Sequence, residues 1–283
     1  MRVYGKIVDI ISSERIIRVK ETNRLVYLYM SRKLYKDFNQ YFSLYPYVIL
    51  YAVDTKRRIE DYVVYDIDHF EKIVKARKDK PITYFDMNEV RVDTQKFIKS
   101  IDNKMFLDLE FSLPAYYQSI PHVAEIVQFG LVIENKQGKI IHEESSLVRP
   151  KRMINLNNRT LKFLSRRRDE YDNAISYMTF YSTFKELINK YNPKIIAWGR
   201  SDLLTLESSF KVNKVKPIQL RKRYINIMQI IKNYYNQKDE IGLFQTYEAM
   251  TGEKLKPQAH DALEDAVVTR KIYHLFKEKL NNN

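Results

Sequence analysis

Apolar and polar positions alternate through most of the first seventy residues, in short runs rich in Val, Ile and Tyr. A period of two predicts half-buried strands, here at Val3 to Ile11, Arg15 to Lys20, Leu25 to Met30, Tyr47 to Asp54 and Asp61 to Asp66. The second and third strands are joined through Glu21-Thr22-Asn23-Arg24, Ser31 stands as the N-cap of a helix through Phe42, and Pro46 closes that helix. Between Lys75 and Lys104 the period weakens and charge accumulates, first in Lys75-Ala76-Arg77-Lys78-Asp79-Lys80-Pro81 and then in a helical segment ending near Ser100. From Asn103 the layout changes. Strands are predicted at Met105 to Phe111, Glu125 to Glu134 and Lys139 to Val148, with Lys136-Gln137-Gly138 turning between the last two. Then come helices Leu161 to Arg168 and Met178 to Tyr191, a strand Lys194 to Trp198, a helix Asp202 to Phe210 and a strand Tyr224 to Ile227. Two further helices start at Gly242 and near Ala259, the last running to Leu280, and Asn281-Asn282-Asn283 reads as a frayed end.

This order divides the chain into a module at 1–75, a charged linker at 76–102 and a larger domain at 103–280. Three strands, a helix and two more strands is the order of an OB-fold, a small barrel that commonly binds single-stranded nucleic acid. If Ile17, Val19, Val26, Leu28 and Met30 point into the barrel, then Arg18, Lys20, Tyr27 and Tyr29 share its outer surface. That face suits a nucleic-acid strand, and equally suits solvated β-formers. The larger domain is α/β, a mixed sheet with an antiparallel start and helices on its faces.

Composition narrows the partner. A formal charge of +14, from 49 Lys and Arg against 35 Asp and Glu, favours a polyanion. No apolar run is long enough to span a bilayer and no start resembles a signal peptide, so nucleic acid in the cytoplasm is the expectation and a membrane is not. With no cysteine, disulfides, thiolate metal sites and a cysteine nucleophile are excluded, and any metal is held through oxygen or imidazole.

The chemistry lies in two acidic signatures. Met105-Phe106-Leu107-Asp108-Leu109-Glu110 puts carboxylates at i and i+2, so on a strand both leave the same face. His260-Asp261-Ala262-Leu263-Glu264-Asp265 sets a histidine five residues before an aspartate at a helix start, offering a general base and a further hard oxygen ligand. Phosphodiester hydrolysis is served by two divalent cations roughly 4 Å apart, and at one or two carboxylates per Mg²⁺ about four acids suffice. Asp202, in Ile195-Ile196-Ala197-Trp198-Gly199-Arg200-Ser201-Asp202, is the remaining candidate. Taken singly, Asp202 is also an ordinary helix-start residue, and His260 and Asp265 also suit capping and the helix dipole. Asp-x-Glu on a strand, Asp after a later strand and His-x-x-x-x-Asp on a final helix occur here together and in order.

On these motifs the chain, from about Lys104 to Leu280, resembles the DEDDh family of 3′-to-5′ exonucleases. Asp108-Leu109-Glu110-Phe111-Ser112 is similar to the first motif, Ala197-Trp198-Gly199-Arg200-Ser201-Asp202 to the second, and His260-Asp261-Ala262-Leu263-Glu264-Asp265-Ala266 to the third. Gly242 to Gln245 and Thr251 to Leu255 resemble the helix and loop before the third motif, and Phe-Ser after Glu110 resembles the branch of Eri-like RNA exonucleases. The resemblance implies an RNase H-like fold, two Mg²⁺ or Mn²⁺ ions, and release of nucleoside 5′-monophosphates from the 3′ end of single-stranded RNA or DNA. It implies that Asp108 contacts both ions, that Glu110 and Asp265 complete the nucleophile-side ion, that Asp202 holds the second, and that His260 is the general base. It also implies that Glu110, with Phe111 and Ser112, meets the terminal nucleotide. One departure is evident: where family members often carry a Thr-Gly-Ile-like loop, this chain reads Leu161-Lys162-Phe163-Leu164-Ser165-Arg166-Arg167-Arg168, whose arginines suit phosphate contacts or a solvated surface. Asp261 and Glu264 adjoin the third motif, where Asp265 matches the family spacing. RNA is favoured as substrate. A DNA proofreading or repair exonuclease, and a non-catalytic nucleic-acid-binding protein on the same scaffold, are the other readings.

Overall fold

The computed structural model describes residues 1–77, 80–117, 121–237, 239–255 and 260–282. The chain forms two compact units, Met1–Asp93 and Thr94–Asn283. In the first, strands β1 (Arg2–Ile11), β2 (Ile16–Lys20) and β3 (Leu25–Tyr29) precede helix α1 (Arg32–Phe42), followed by β4 (Tyr47–Ile59), β5 (Tyr62–Lys75) and β6 (Ile82–Asp86). The strands neighbour one another in the order β3-β2-β1-β4-β5-β6, and β3 also pairs in parallel with β5 at Leu28↔Tyr65 and Tyr29↔Asp66. That pairing closes β1 to β5 into an OB-like barrel. Alternation places Val3, Ile7, Ile17, Val19, Val26, Leu28, Leu50 and Ile67 inside, where they join Met30 and the α1 residues Phe38 and Phe42 in one core. Gly5 allows β1 to cross closely under β2, since a Cβ there would lie 2.3 Å from the Lys20 carbonyl oxygen.

Ser31 caps α1 as expected, its hydroxyl accepting from the Leu34 amide at 3.3 Å. Strands β4 and β5 outrun their predicted ends at Asp54 and Asp66. Residues 53–58 are exposed on both faces, so cross-strand pairing rather than an apolar period holds them. The segment 76–102, expected as a charged linker with a helical stretch ending near Ser100, carries all of helix α2 (Met87–Ser100) and also the strand β6. A strand on a sheet edge needs only a partner, and β6 finds it in the overhanging end of β5, with Lys72 and Asp86 paired at 2.6 Å. Lys78 and Asp79 of that segment, Ala259 at the predicted start of the last helix, and Asn283 lie outside the described residues.

The second unit holds β7 (Lys104–Phe111), β8 (Ile126–Glu134), β9 (Ile140–Arg149), α3 (Asn158–Phe163), β10 (Ile175–Ser176), α4 (Tyr177–Tyr191), β11 (Lys194–Ala197), α5 (Ser201–Val212), β12 (Tyr224–Asn226), α6 (Ile227–Tyr235), α7 (Leu243–Thr251) and α8 (Ala262–Asn281). Its sheet runs β10-β9-β8-β7-β11-β12, antiparallel among β7, β8 and β9 and parallel from β7 to β12. This is the RNase H-like mixed sheet. Met105, Leu107 and Leu109 of β7 pack with α4 and α5 on one face, whereas Phe106 packs with α6, α7, α8 and Ile98 of α2 on the other. Period two therefore sends Asp108 and Glu110 to the α8 side.

Two differences from the predicted elements bear on the site. Helix α3 is shorter and earlier than expected, capped by Asn157, whose side chain accepts from the Thr160 amide at 3.0 Å. It ends in a turn at Ser165, where φ is +52°. Helix α6 was not predicted at all. Its first residue, Ile227, stands where the sequence predicts a strand to end, and Asn226 caps the helix by accepting from the Gln229 amide at 3.1 Å.

At the far end of the sheet from the carboxylates, Lys104 and Glu134 are fully buried opposite one another, with Nζ and Oε1 3.3 Å apart. Arg270 and His274 of α8 each reach Glu134 at 2.8 Å. Burial alone would raise the Glu134 pKa, but the His274 bond and the Lys104 and Arg270 charges hold it below the usual carboxylate value. This cluster fastens α8 across β7 and β8.

Candidate active site

Three elements deliver the four acidic residues. Asp108 and Glu110 stand on β7. Asp202 occupies the first turn of α5 just past β11, and Asp265 the first turn of α8. Glu110, Asp202 and Asp265 are all under a tenth exposed. The Leu109 amide donates to Asp202 Oδ1 at 3.1 Å, locking the α5 start to the strand between the two β7 acids. Glu110, His260 and Asp265 each offer a ligand atom within 4.8 Å of the others.

What lets α8 come so near is Gly130, paired across the ladder with Asp108. A Cβ at Gly130 would lie 2.2 Å from the Leu263 amide nitrogen and 2.3 Å from the Ala262 carbonyl carbon. Ala262 and Ala266, one helical turn apart and fully buried, present small side chains on the same helix. The backbone of α8 thus rests directly on β8.

Electrostatics record the convergence. Burial first, then the charges of Asp202, Asp265 and Glu110, push Asp108 well above the carboxylate range. Burial, then Asp265 and Asp202, push Glu110 up to about 8. Burial raises Asp202 to about 7, against the Leu109 amide bond that lowers it. Like charges this close share protons unless a cation neutralises them. The donor set is all hard oxygen with one imidazole, which is the set Mg²⁺ and Mn²⁺ prefer. The residues therefore fit a pair of divalent cations.

His260 sits just before the helix in the left-handed region, φ +51°. Its ring stacks on Phe163, centroids 3.9 Å apart and planes at 28°. Burial lowers its pKa below 6.5, which keeps the imidazole neutral at physiological pH. Asp261 is the α8 N-cap. Its Oδ1 accepts from the Leu263 and Glu264 amides, and its Oδ2 from Gln128 at 2.8 Å and Arg166 at 2.9 Å. Asp261 is thereby committed to structural bonds, whereas Asp265, at the family spacing, stands with Glu110 and His260.

A cleft of about 660 Å³ opens beside Asp108 and Asp265, walled by Trp198 to Ser201, the start of α6 and Glu240 to Leu243. Its wall is braced by bonds from Trp198 Nε1 to the Ile241 carbonyl (3.2 Å), from the Gly199 amide to Asn226 (3.2 Å) and from the Tyr224 hydroxyl to the Gly199 carbonyl (3.0 Å).

Other expected site residues are placed differently. Phe111 packs partly buried against the core, and Ser112 is buried with its hydroxyl accepting from the Glu125 amide at 3.0 Å. Neither side chain is among those lining the cleft. In the other unit, Arg18 and Tyr27 are cross-strand partners with the guanidinium 6.0 Å from the ring centre, and Tyr29 lies under Arg57 at 4.3 Å with its hydroxyl accepting from Arg15 at 2.8 Å. Lys20 is exposed beside them. The arginine run is spent mostly on protein contacts: Arg166 on Asp261 and Glu170, Arg167 on Asp169 and Arg168 on the Met153 carbonyl. Sequence reasoning missed Gly130, Gln128, Phe163 and the α6 wall. Only Gly130 carried a signal, as a lone glycine inside a strand pattern.

The family model for RNase T exonucleases matches residues 105–273. The chain is similar to the probable 3′-5′ exonuclease KapD of Bacillus subtilis, 26% identical over 175 residues that span 62% of this chain and 84% of that protein. Among solved structures it is similar to the nuclease domain of 3′hExo, a DEDDh family member bound to rAMP, with TM-score 0.56 and 19% identity over 65% of this chain and 94% of that one. It is also similar to a 3′-exonuclease solved for its 3′-end recognition of a histone mRNA stem-loop, with TM-score 0.55 and 16% identity over 71% and 82% of the two chains. At these identities the solved structures speak to the fold. No helix among the described residues is long and apolar enough to cross a membrane.

Proposed function

The chain belongs to the RNase T exonuclease family, and on that footing we propose that it is a 3′-to-5′ exonuclease that shortens single-stranded RNA in preference to DNA and releases nucleoside 5′-monophosphates. The observation that carries this reading is the convergence of Asp108, Glu110, Asp202 and Asp265 from three places in the chain onto one buried spot beside a neutral histidine. Exonucleases of the DEDDh type use two divalent cations, Mg²⁺ or Mn²⁺. Here the four carboxylates would hold them. When bound, such cations neutralise charge on the scissile phosphate and make water acidic enough to supply a nucleophile at neutral pH.

The chain's own residues do the rest. His260 Nδ1 or Nε2, unprotonated at neutral pH, accepts the proton of the attacking water. The Leu109 amide holds Asp202 in place, and the Asp261 cap holds the start of α8 that bears Asp265. The terminal nucleotide occupies the cleft against Trp198 and the exposed Arg200, a positive charge at the α5 start suited to phosphate. Preference for RNA is supported by the subjects of the two similar solved structures, an rAMP complex and an mRNA stem-loop.

The OB-like unit retains the strand through the cation and tyrosine face built from Arg18, Lys20, Tyr27 and Tyr29, extended by Arg57 and by Tyr62, whose ring lies 5.6 Å from Tyr27. Stacked rings beside guanidinium groups bind bases of any sequence.

The test is digestion of matched RNA and DNA oligomers, labelled at either end, by the wild type and Asp108→Ala with Mg²⁺, Mn²⁺ or EDTA. Stepwise shortening of 5′-labelled RNA that needs metal and Asp108 is expected. Degradation by the variant in EDTA at the wild-type rate would refute the assignment.

A further inference from the structure

The departure at Leu161 to Arg168 sits against the third motif in a way the cation site does not account for. The carbonyl of Leu161 accepts from the Arg166 amide at 3.0 Å and Ser165 takes the left-handed conformation, so α3 ends in a tight reversal. The reversal lets Phe163 and Arg166 of one short segment meet two adjoining residues of the third motif, His260 and Asp261. Phe163 stacks face to face on His260, and Arg166 donates to Asp261 Oδ2 at 2.9 Å while also pairing with Glu170 at 3.3 Å.

The base of this turn is firm. Leu164 and Tyr171, on either side of the arginine run, are buried in one cluster with Leu156 and with Val127 of β8. Val127 neighbours Gln128, which donates to the same Asp261 oxygen as Arg166. His260, by contrast, has a backbone conformation that side chains rarely adopt. No hydrogen bond among the described residues orients its ring. Its orientation is left to the stack and to the residue that follows it.

We propose that Phe163 and Arg166 form a two-point latch that positions the catalytic base: the Phe163 ring sets the plane of the His260 imidazole, and Arg166 with Gln128 fixes the Asp261 cap from which His260 is suspended. The proposal rests on the reading of His260 as general base. Phe163 is 40% exposed, so its ring is not part of the core, and the ring it covers is the catalytic one. Both latch residues are positioning residues, since they act through His260 and Asp261.

The full-length chain tests this as wild type, Phe163→Ala, Phe163→Trp, Arg166→Met and His260→Ala, with thermal melting to confirm folding. The first readout is the NMR signal of the His260 ring protons in the metal-free protein, assigned by its loss in His260→Ala. A ring stacked at this distance shifts those protons upfield, and Phe163→Ala should return them to ordinary positions while Phe163→Trp keeps the shift. The second readout is turnover on a short oligonucleotide. Phe163→Ala and Arg166→Met should each lower kcat by roughly 10- to 100-fold with KM little changed, as expected for a reacting group displaced by about 1 Å, and Phe163→Trp should recover most of it. Wild-type kcat in Phe163→Ala and Arg166→Met, with His260→Ala inactive, would overturn the latch and leave the base assignment standing. A rise in KM alone would overturn it too, making Phe163 a substrate contact. A fully active His260→Ala would instead remove the base assignment, and the latch with it.

Discussion

Gly130→Ala is the sharpest perturbation available, because it adds one methyl group at a place with no room for it. The new Cβ would lie 2.2 to 2.4 Å from the Leu263 nitrogen and the Ala262 carbonyl carbon and oxygen. Carbon contacts settle near 3.5 Å, so the start of α8 must retreat by about 1 Å. These are backbone atoms on a helix and a central strand, so no side-chain rotation relieves the clash. Overpacking of this kind costs about 1–3 kcal/mol, which at this chain length lowers Tm by several degrees and leaves the protein folded. The retreat carries Asp265, three residues beyond Ala262, and His260, two residues before it, away from Asp108 and Glu110. A displacement of about 1 Å costs on the order of 100-fold in kcat, with divalent-cation affinity falling alongside. The assay is steady-state shortening of a 5′-labelled 12-mer from its 3′ end, with calorimetric titration of Mn²⁺ and a thermal melt on the same samples. A folded Gly130→Ala with wild-type kcat and Mn²⁺ affinity would refute the claim that backbone contact between β8 and α8 assembles the site.

Four further outcomes are expected. Because Glu110 and Asp202 have native pKa values of about 8 and about 7, above those of free carboxyls, the metal-free native state binds more protons than the unfolded chain, so their contribution to stability is full at low pH and lost as pH rises through 7 to 8; Mg²⁺ should therefore raise Tm more at pH 8 than at pH 6, and an equal rise at both would contradict the shifts. Asp202→Asn keeps an acceptor for the Leu109 amide but removes a charge, so activity should fall by roughly 1000-fold with Tm unchanged or raised, checked by single-turnover kinetics. Glu134→Leu strands the buried Lys104 charge and should cost about 3–5 kcal/mol by denaturant titration, whereas adding Lys104→Met should recover most of it. Tyr27→Ala and Tyr29→Ala should each weaken binding of long single strands by about 1–3 kcal/mol and leave dinucleotide turnover alone; equal loss for both substrates would argue against a retention role for the barrel.

The chemistry was legible because each motif is local. Asp108 and Glu110 share a face through strand period alone, and the histidine and aspartate of the third motif flank a helix start that Asp261 caps. The barrel was legible for a similar reason, since inward Ile17, Val19, Val26 and Leu28 alternate without interruption. Where elements owe their form to a partner, the sequence was silent. Strand β6 exists because β5 overhangs, α6 begins where Asn226 caps it and braces Gly199, and the Ser112 hydroxyl turns inward to accept from the Glu125 amide.

By itself, the sequence determined the reaction class, the metal-ligand types and the order of elements, since residue identity and spacing along one strand or helix are enough to state them. Tertiary structure alone decided that Asp261 is spent on capping α8 and on Gln128 and Arg166, how a bare glycine brings α8 onto the sheet, and that a phenylalanine from α3 stacks on His260 while an arginine from the turn after it bonds Asp261. Those outcomes depend on distances between segments separated by about a hundred residues, which no local pattern encodes.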